Sequence, residues 1–281
     1  ATINAGGGTL NLSGGLVKDG TVLTLTGGGT INIPNIGISG ASAGSDLVID
    51  ATKVITGIAS SYNGPTYVTN NGILEANNTS GSATGTGTVT VDAGSTLSGN
   101  GLISTGAGNS IFINGTLQIG ASGATQGTDF SLTTGTGGST IFGLNSFTRL
   151  DLWSTTGLDQ SGDPTAADML RLFGEVSILS GSTLKLSNPN NITFQAGDVF
   201  RLFDWFNLGT GPGSRTGTWS TVDAFDLNLV GLGVDTTNLY TTTGALAGTI
   251  SIIAVPEPSR VLLVGLGLAG VFMRRRRPIS G

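Results

Sequence analysis

The chain contains neither cysteine nor histidine in 281 residues, and only 10% of its residues are charged. Without cysteine there is no disulfide framework. Without either residue there is no Cys/His zinc site and no Ser-His-Asp triad. Strong helix character is also missing: 48 glycines, with abundant threonine, serine and asparagine, disfavour long helices. Disorder is excluded on the opposite ground, because 38% of the residues are hydrophobic and they fall in short regular runs with apolar surface to bury. An all-β protein with many turns fits this balance.

Basic charge is scarce and unevenly placed. The formal net charge is −5, but residues 1–259 carry 17 acids against 7 bases, and Arg260 with Arg274–Arg277 supplies the remainder. An acidic body argues against a nucleic-acid partner, since phosphate contacts need clustered Lys and Arg.

What is present in the first half is a repeat. Units of the form Gly-Thr/Ser-apolar-x-apolar recur at Gly8, Gly29, Gly72, Gly94 and Gly115, at intervals of 21 or 22 residues within each group. Apolar positions alternate within each unit, which gives one buried and one solvated face. A near-constant period of this length is the mark of a solenoid. Coils stacked at the inter-strand spacing would make residues 1–139 a rod of six or seven turns, about 30 Å long. A β-sandwich of antiparallel hairpins is the competing reading, because it too accommodates glycine-rich turns.

Residues 62–76 resemble the autotransporter-associated β-strand repeat at Tyr62, Gly64, Thr66, Val68, Gly72 and Leu74, and Gly85–Gly101 continues the likeness. That resemblance implies a right-handed parallel β-helix of the kind found in secreted passenger domains.

From about Ser139 aromatic and charged residues become more frequent, among them Phe142, Trp153, Phe200, Phe203, Trp205 and Trp219. Residues 140–253 read as a β-rich cap that closes the open end of the solenoid, because an exposed edge would pair with other chains. Sugar stacking by Trp153, Trp205 or Trp219 is the alternative to core packing, and packing is favoured.

The last segment has three parts: Pro256-Glu257-Pro258 within residues 254–260, an uncharged apolar run over 261–273, and a basic tail over 274–281. The run comprises Val261, Leu262, Leu263, Val264, Leu266, Leu268, Val271, Phe272 and Met273, with small residues between. As a helix its thirteen residues span about 20 Å, against a hydrocarbon core of about 30 Å. Arg260 and Arg274 extend it by snorkelling. Arg274, Arg275, Arg276 and Arg277 favour the cytoplasmic side, leaving residues 1–259 outside. An ordinary core element with a solvated basic tail is the bland alternative. Gly265 to Gly270 matches the G-x-G-x-x-G spacing but lacks the strand, helix and downstream acid of a dinucleotide site, so small residues in a membrane span explain it better.

This order of parts resembles the PEP-CTERM sorting signal of Gram-negative bacteria. The resemblance implies export, a single short C-terminal transmembrane helix serving as a transient anchor, and cleavage near Pro256–Pro258 by an exosortase-type enzyme, often in organisms that make exopolysaccharide. The two prolines keep that stretch extended, which suits entry into a processing site.

A catalytic constellation is not legible. Aspartates at 151, 159, 163 and 168, at 198 and 204, and at 223 and 226 are scattered, and turn formation accounts for them. No catalytic residue, metal ligand or cofactor is expected. The favoured function is an exported, non-catalytic cell-surface or matrix protein, structural or adhesin-like and associated with exopolysaccharide or biofilm. A polysaccharide lyase or hydrolase on a β-helix scaffold is the alternative, with Asp163/Asp168 and Asp223/Asp226 as its closest acid pairs.

Overall fold

The computed structural model describes residues 1–42, 44–155, 165–205 and 215–255. Among them there are only strands, turns and loops, and no helix is long and apolar enough to cross a membrane. Two nine-stranded parallel sheets run the length of the molecule. The first joins strands from Thr2–Asn4 to Arg215–Thr216, and the second joins strands from Thr9–Asn11 to Thr221–Asp226. Successive coils contribute one strand to each sheet, so the chain winds as a β-solenoid and not as a sandwich of hairpins. A four-stranded parallel sheet, Leu102–Ser104, Asp129–Thr133, Met169–Phe173 and Phe203–Asp204, forms a third side of the later coils. Nine rungs correspond to a rod about 38 Å long at about 4.8 Å per rung.

Alternation in sequence becomes ladders in space. On the first sheet Ile3, Leu25, Ile49, Val68, Val91, Ile113, Phe142 and Ile178 stand in register, one per coil. On the second, Leu10, Ile31, Val54, Leu74, Leu97, Leu117, Thr148, Leu184 and Val222 do the same. Each sheet buries its ladder against the opposite one, which makes a single continuous core. The corner between the sheets turns through left-handed residues. Glycine supplies several of them, and Asn70, Asn71 and Asn145 take the others at φ of 51°, 63° and 58°. Asparagine tolerates this region better than other residues with a Cβ.

The motif in residues 62–76 now has a physical account. Tyr62, Val68 and Leu74 point into the core, and the Tyr62 hydroxyl lies 2.6 Å from Thr66 Oγ1. A Cβ at Gly64 would overlap the Ser45 backbone, and one at Gly72 would stand 2.6 Å from the Ile49 carbonyl oxygen. Both glycines are required by the close approach of the preceding coil.

Thr148 interrupts an otherwise aliphatic ladder. It is fully buried, and its hydroxyl has no hydrogen-bond partner among the described residues. Thr148→Val keeps the shape and removes the orphaned hydroxyl, and it is expected to stabilise the rod by about 1–2 kcal/mol. A lower midpoint in chemical denaturation for this variant would contradict that account.

Coil length changes along the rod. Intervals between paired residues of the first sheet are 22, 24, 19, 23, 22, 29, 36 and 39 residues from the N-terminal end. The first sheet passes through residues 139 and 140 and the second continues on either side of them, and the change of texture in the sequence there coincides with the lengthening of the coils. Longer coils enclose a wider interior, which needs larger side chains to reach interior packing density. Phe130, Phe142, Phe200 and Phe203 are accordingly fully buried in this part. Trp219 packs edge-on to Phe142 at 5.7 Å between ring centroids and lies 4.7 Å from Phe203, which stacks on Trp205. A three-stranded antiparallel sheet of Val199–Arg201, Thr249–Ala254 and Leu232–Asp235 completes this end. Trp205 and Trp219 thus serve packing, as expected.

The sorting motif at 256–258, the apolar run at 261–273 with the transmembrane helix expected there, and Arg274–Arg277 all lie outside the described residues.

Candidate functional site

A cleft of about 280 Å³ opens on the outer face of the second sheet, where the loop 120–124 folds back over the rungs. Strand alternation places its floor. With Leu74, Leu97 and Leu117 inside, Glu75, Ser98 and Gln118 stand outside in consecutive register. Lys53 and Ile73 form one end, and Asp151 and Trp153 form the other.

The loop is held by a charged latch. Lys53 Nζ lies 2.7 Å from Glu75 Oε2 and donates to Ser122 Oγ at 2.6 Å. Ser122 donates its hydroxyl to the same Glu75 oxygen at 2.7 Å, and Asn77 Nδ2 donates to Oε1 at 2.8 Å. Burial alone would raise the Glu75 carboxyl. Hydrogen bonds from Lys53, Asn77 and Ser122, with the Lys53 charge, outweigh it and hold the group below its ordinary range. Glu75 is therefore an ionised anchor whose oxygens are already occupied.

Behind the opposite wall lies a carboxyl of the other kind. After strand Phe147–Asp151 the chain returns through an antiparallel bridge between Leu152 and Ala167, which brings Asp168 beneath the cleft. Asp168 is fully buried. Its Oδ1 accepts the Thr128 N–H at 3.1 Å and the Trp153 Nε1–H at 3.2 Å, and its Oδ2 accepts the Asp151 N–H at 3.0 Å. Burial pushes its pKa up to about 7, the neighbouring Asp151 charge adds to the rise, and the three donors only partly oppose it. Asp151 is itself raised by burial, against a hydrogen bond from Ser187 and the charge of Arg149. Two adjoining carboxyls with raised affinity for protons thus sit at one end of the cleft, one lining it and one sealed behind it.

Aspartates 223 and 226 are elsewhere. Asp226 pairs with Lys185 at 2.8 Å, and Asp223 accepts the Phe225 N–H at 3.0 Å, as a turn-forming aspartate does. Asp159 and Asp163 lie outside the described residues. Among the described residues no cluster of three acids is arranged to hold a metal ion. The sequence did not single out Lys53, Glu75, Gln118 or Ser122. Rarity was the available signal, since the chain has only three lysines and three glutamates.

Residues 254–277 match the family model described as the PEP-CTERM protein-sorting motif. No curated protein and no solved structure matches the chain. The motif marks an exported protein of a Gram-negative bacterium that is sorted through exosortase and held transiently in the membrane by its C-terminus.

Proposed function

We propose that this chain is an exported, non-catalytic component of the cell surface or extracellular matrix, structural or adhesin-like, that meets exopolysaccharide along the outer face of its second sheet. A single short transmembrane helix at 261–273 anchors it until cleavage near Pro256–Pro258, with Arg274–Arg277 on the cytoplasmic side. The observation that carries the reading is the commitment of the cleft's acids. Glu75 is saturated by Lys53, Asn77 and Ser122, and Asp168 is sealed beneath the wall, so of these three acids only Asp151 faces the cleft, beside hydroxyl, amide and indole groups. Ser98, Gln118, Arg149 and Lys185 follow one another in register along this face, a polar row suited to an acidic glycan. The cleft is at the small end of ligand sites, which span roughly 300–1,000 Å³. Kinship with the autotransporter-associated repeat is part of the same proposal, supported by the packing of residues 62–76. So is a right-handed winding, which nearly all parallel crossovers adopt.

A second reading, an exported lyase or hydrolase, draws on the raised affinities of Asp151 and Asp168. One experiment separates the two. The purified chain is incubated with a panel of pectic, alginate and other acidic glycans, and binding and turnover are both measured. Binding without turnover is expected; turnover lost in Asp151→Asn would establish the second reading. Processing is checked by mass spectrometry of the mature C-terminus with and without the sorting enzyme. An intact Arg274–Arg277 tail in both samples would sink it.

A further inference from the structure

The C-terminal end of the rod leaves a group of apolar side chains uncovered. Phe225, 89% exposed, lies near the end of strand Thr221–Asp226, and Val230, 86% exposed, in the turn that leads from it to Leu232–Asp235. Ile253 and Val255, 42% and 47% exposed, end the last described strand beside them. Phe225 and Val230 are joined by a tight turn, in which the Asn228 N–H donates to the Phe225 carbonyl at 3.4 Å and the Val230 N–H to the Asn228 carbonyl at 3.1 Å, and Ile253 and Val255 lie against the segment that follows Val230. The Val255 N–H donates to the Gly231 carbonyl at 3.1 Å, and Leu232 and Gly233 pair with Ala254 and Ile253. A Cβ at Gly233 would stand 2.8 Å from Val255 Cγ2 and 3.8 Å from Ile253 Cγ1, so both side chains lie over that glycine.

What covers this surface is set by where the chain goes next. Five residues separate Val255 from Val261, the first residue of the apolar run. Six Cα steps reach at most about 22 Å. Any bilayer that receives residues 261–273 is therefore within that distance of Val255, whose N–H is bonded to the carbonyl of Gly231 next to Val230. Interfacial segments settle roughly 5–10 Å into the boundary between headgroups and acyl chains, and Phe is a characteristic residue of their buried face. Among the described residues, the acids beside these side chains are already engaged: Asp223 with the Phe225 N–H, Asp226 with Lys185, and Asp235 with Thr237. Attraction to anionic headgroups is thus not the mode of contact.

We infer that Phe225, Val230, Ile253 and Val255 form a lipid-contact surface that seats this end of the rod on the leaflet from which its anchor emerges. The inference rests on residues 261–273 acting as a membrane anchor. The contact is apolar, insensitive to salt, and equal on zwitterionic and anionic bilayers.

The absence of cysteine makes the test direct. In the full chain, Val230→Cys and, as a control at the far end of the rod, the 80% exposed Val17→Cys are each labelled with an environment-sensitive fluorophore. The chains are inserted into phosphatidylcholine vesicles containing brominated lipid, and flotation is read alongside fluorescence. Expected results are a blue shift and quenching at position 230 and neither at position 17. Adding Phe225→Asp to the Val230→Cys chain is expected to abolish the quenching while flotation persists. A chain that does not float with the vesicles would overturn the anchor reading, and this inference with it. A chain that floats with equal signals at 17 and 230, or whose quenching survives Phe225→Asp, would overturn the inference alone. A blue shift at 230 that grows with protein concentration without lipid would assign the surface to a second copy instead.

Discussion

Replacing Asp168 by alanine is expected to destabilise the protein by about 4 kcal/mol, since three buried donors lose their acceptor at once and each orphaned group costs about 1–3 kcal/mol. Those donors are the N–H groups of Thr128 and Asp151 and the indole of Trp153. They tie the third side, the second sheet and the cleft wall to one carboxyl. Asp168→Asn preserves the shape and sets an amide against one donor, so it should cost less. The pH dependence separates charge from packing. Folded Asp168 takes up its proton near pH 7, whereas the ordinary value is 3.8. Its contribution to stability is therefore fully present below the unfolded value and is lost as pH rises through about 7. Between pH 4 and 7 the wild-type melting temperature should fall more steeply than that of Asp168→Asn. Part of the slope will survive in the variant, because Asp151 is shifted in the same direction. Parallel curves for the two proteins would refute the buried-acid account.

Tyr62→Ala should be comparably damaging. Truncating a large buried aromatic side chain costs about 3–5 kcal/mol, and Tyr62 has two further ties. Its hydroxyl meets Thr66 Oγ1 at 2.6 Å, and Lys18 Nζ stands 4.0 Å from its ring centroid while donating to the Ser45 carbonyl. Removing the ring takes the aromatic face from a buried ammonium whose pKa burial has already lowered to about 8. Tyr62→Phe keeps the ring and should cost only about 1 kcal/mol, the worth of one hydrogen bond. Denaturant titration followed by circular dichroism reads both. If Tyr62→Ala were no more damaging than Tyr62→Phe, the ring would not be the keystone of its coil. Because solenoids unfold by neighbouring units, the slope of each titration should be compared with that of the wild type before energies are assigned.

These two residues differ in how visible they were beforehand. Tyr62 belongs to a local pattern, Tyr62, Gly64, Thr66, Val68, Gly72 and Leu74, and each position serves the same few rungs. Asp168 looked like one of several loop aspartates, because its partners are 17 residues away at Asp151 and 40 away at Thr128. The latch is similar: Ser122 reaches Glu75 across 47 residues. None of these three separations is a multiple of the 21- or 22-residue repeat. The loops that make these contacts interrupt the coils, and no local propensity encodes where a loop lands.

The sequence by itself determined the all-β character, the coiled repeat of its first half and the tripartite sorting tail. All three follow from composition, alternation and short-range order, which act within a few residues. The tertiary structure decided how far the solenoid extends and where the acids meet. A 21-residue period is readable while coils stay near 19–24 residues, and it fades once they lengthen to 29, 36 and 39. The ladders continue through those longer coils to Asp226, because a strand needs only a matching neighbour in register, whatever length of loop separates them. Stacking, not spacing, places Lys53, Gln118, Asp151 and Trp153 around one cleft, and it gathers Phe225, Val230, Ile253 and Val255 at the end from which the tail departs.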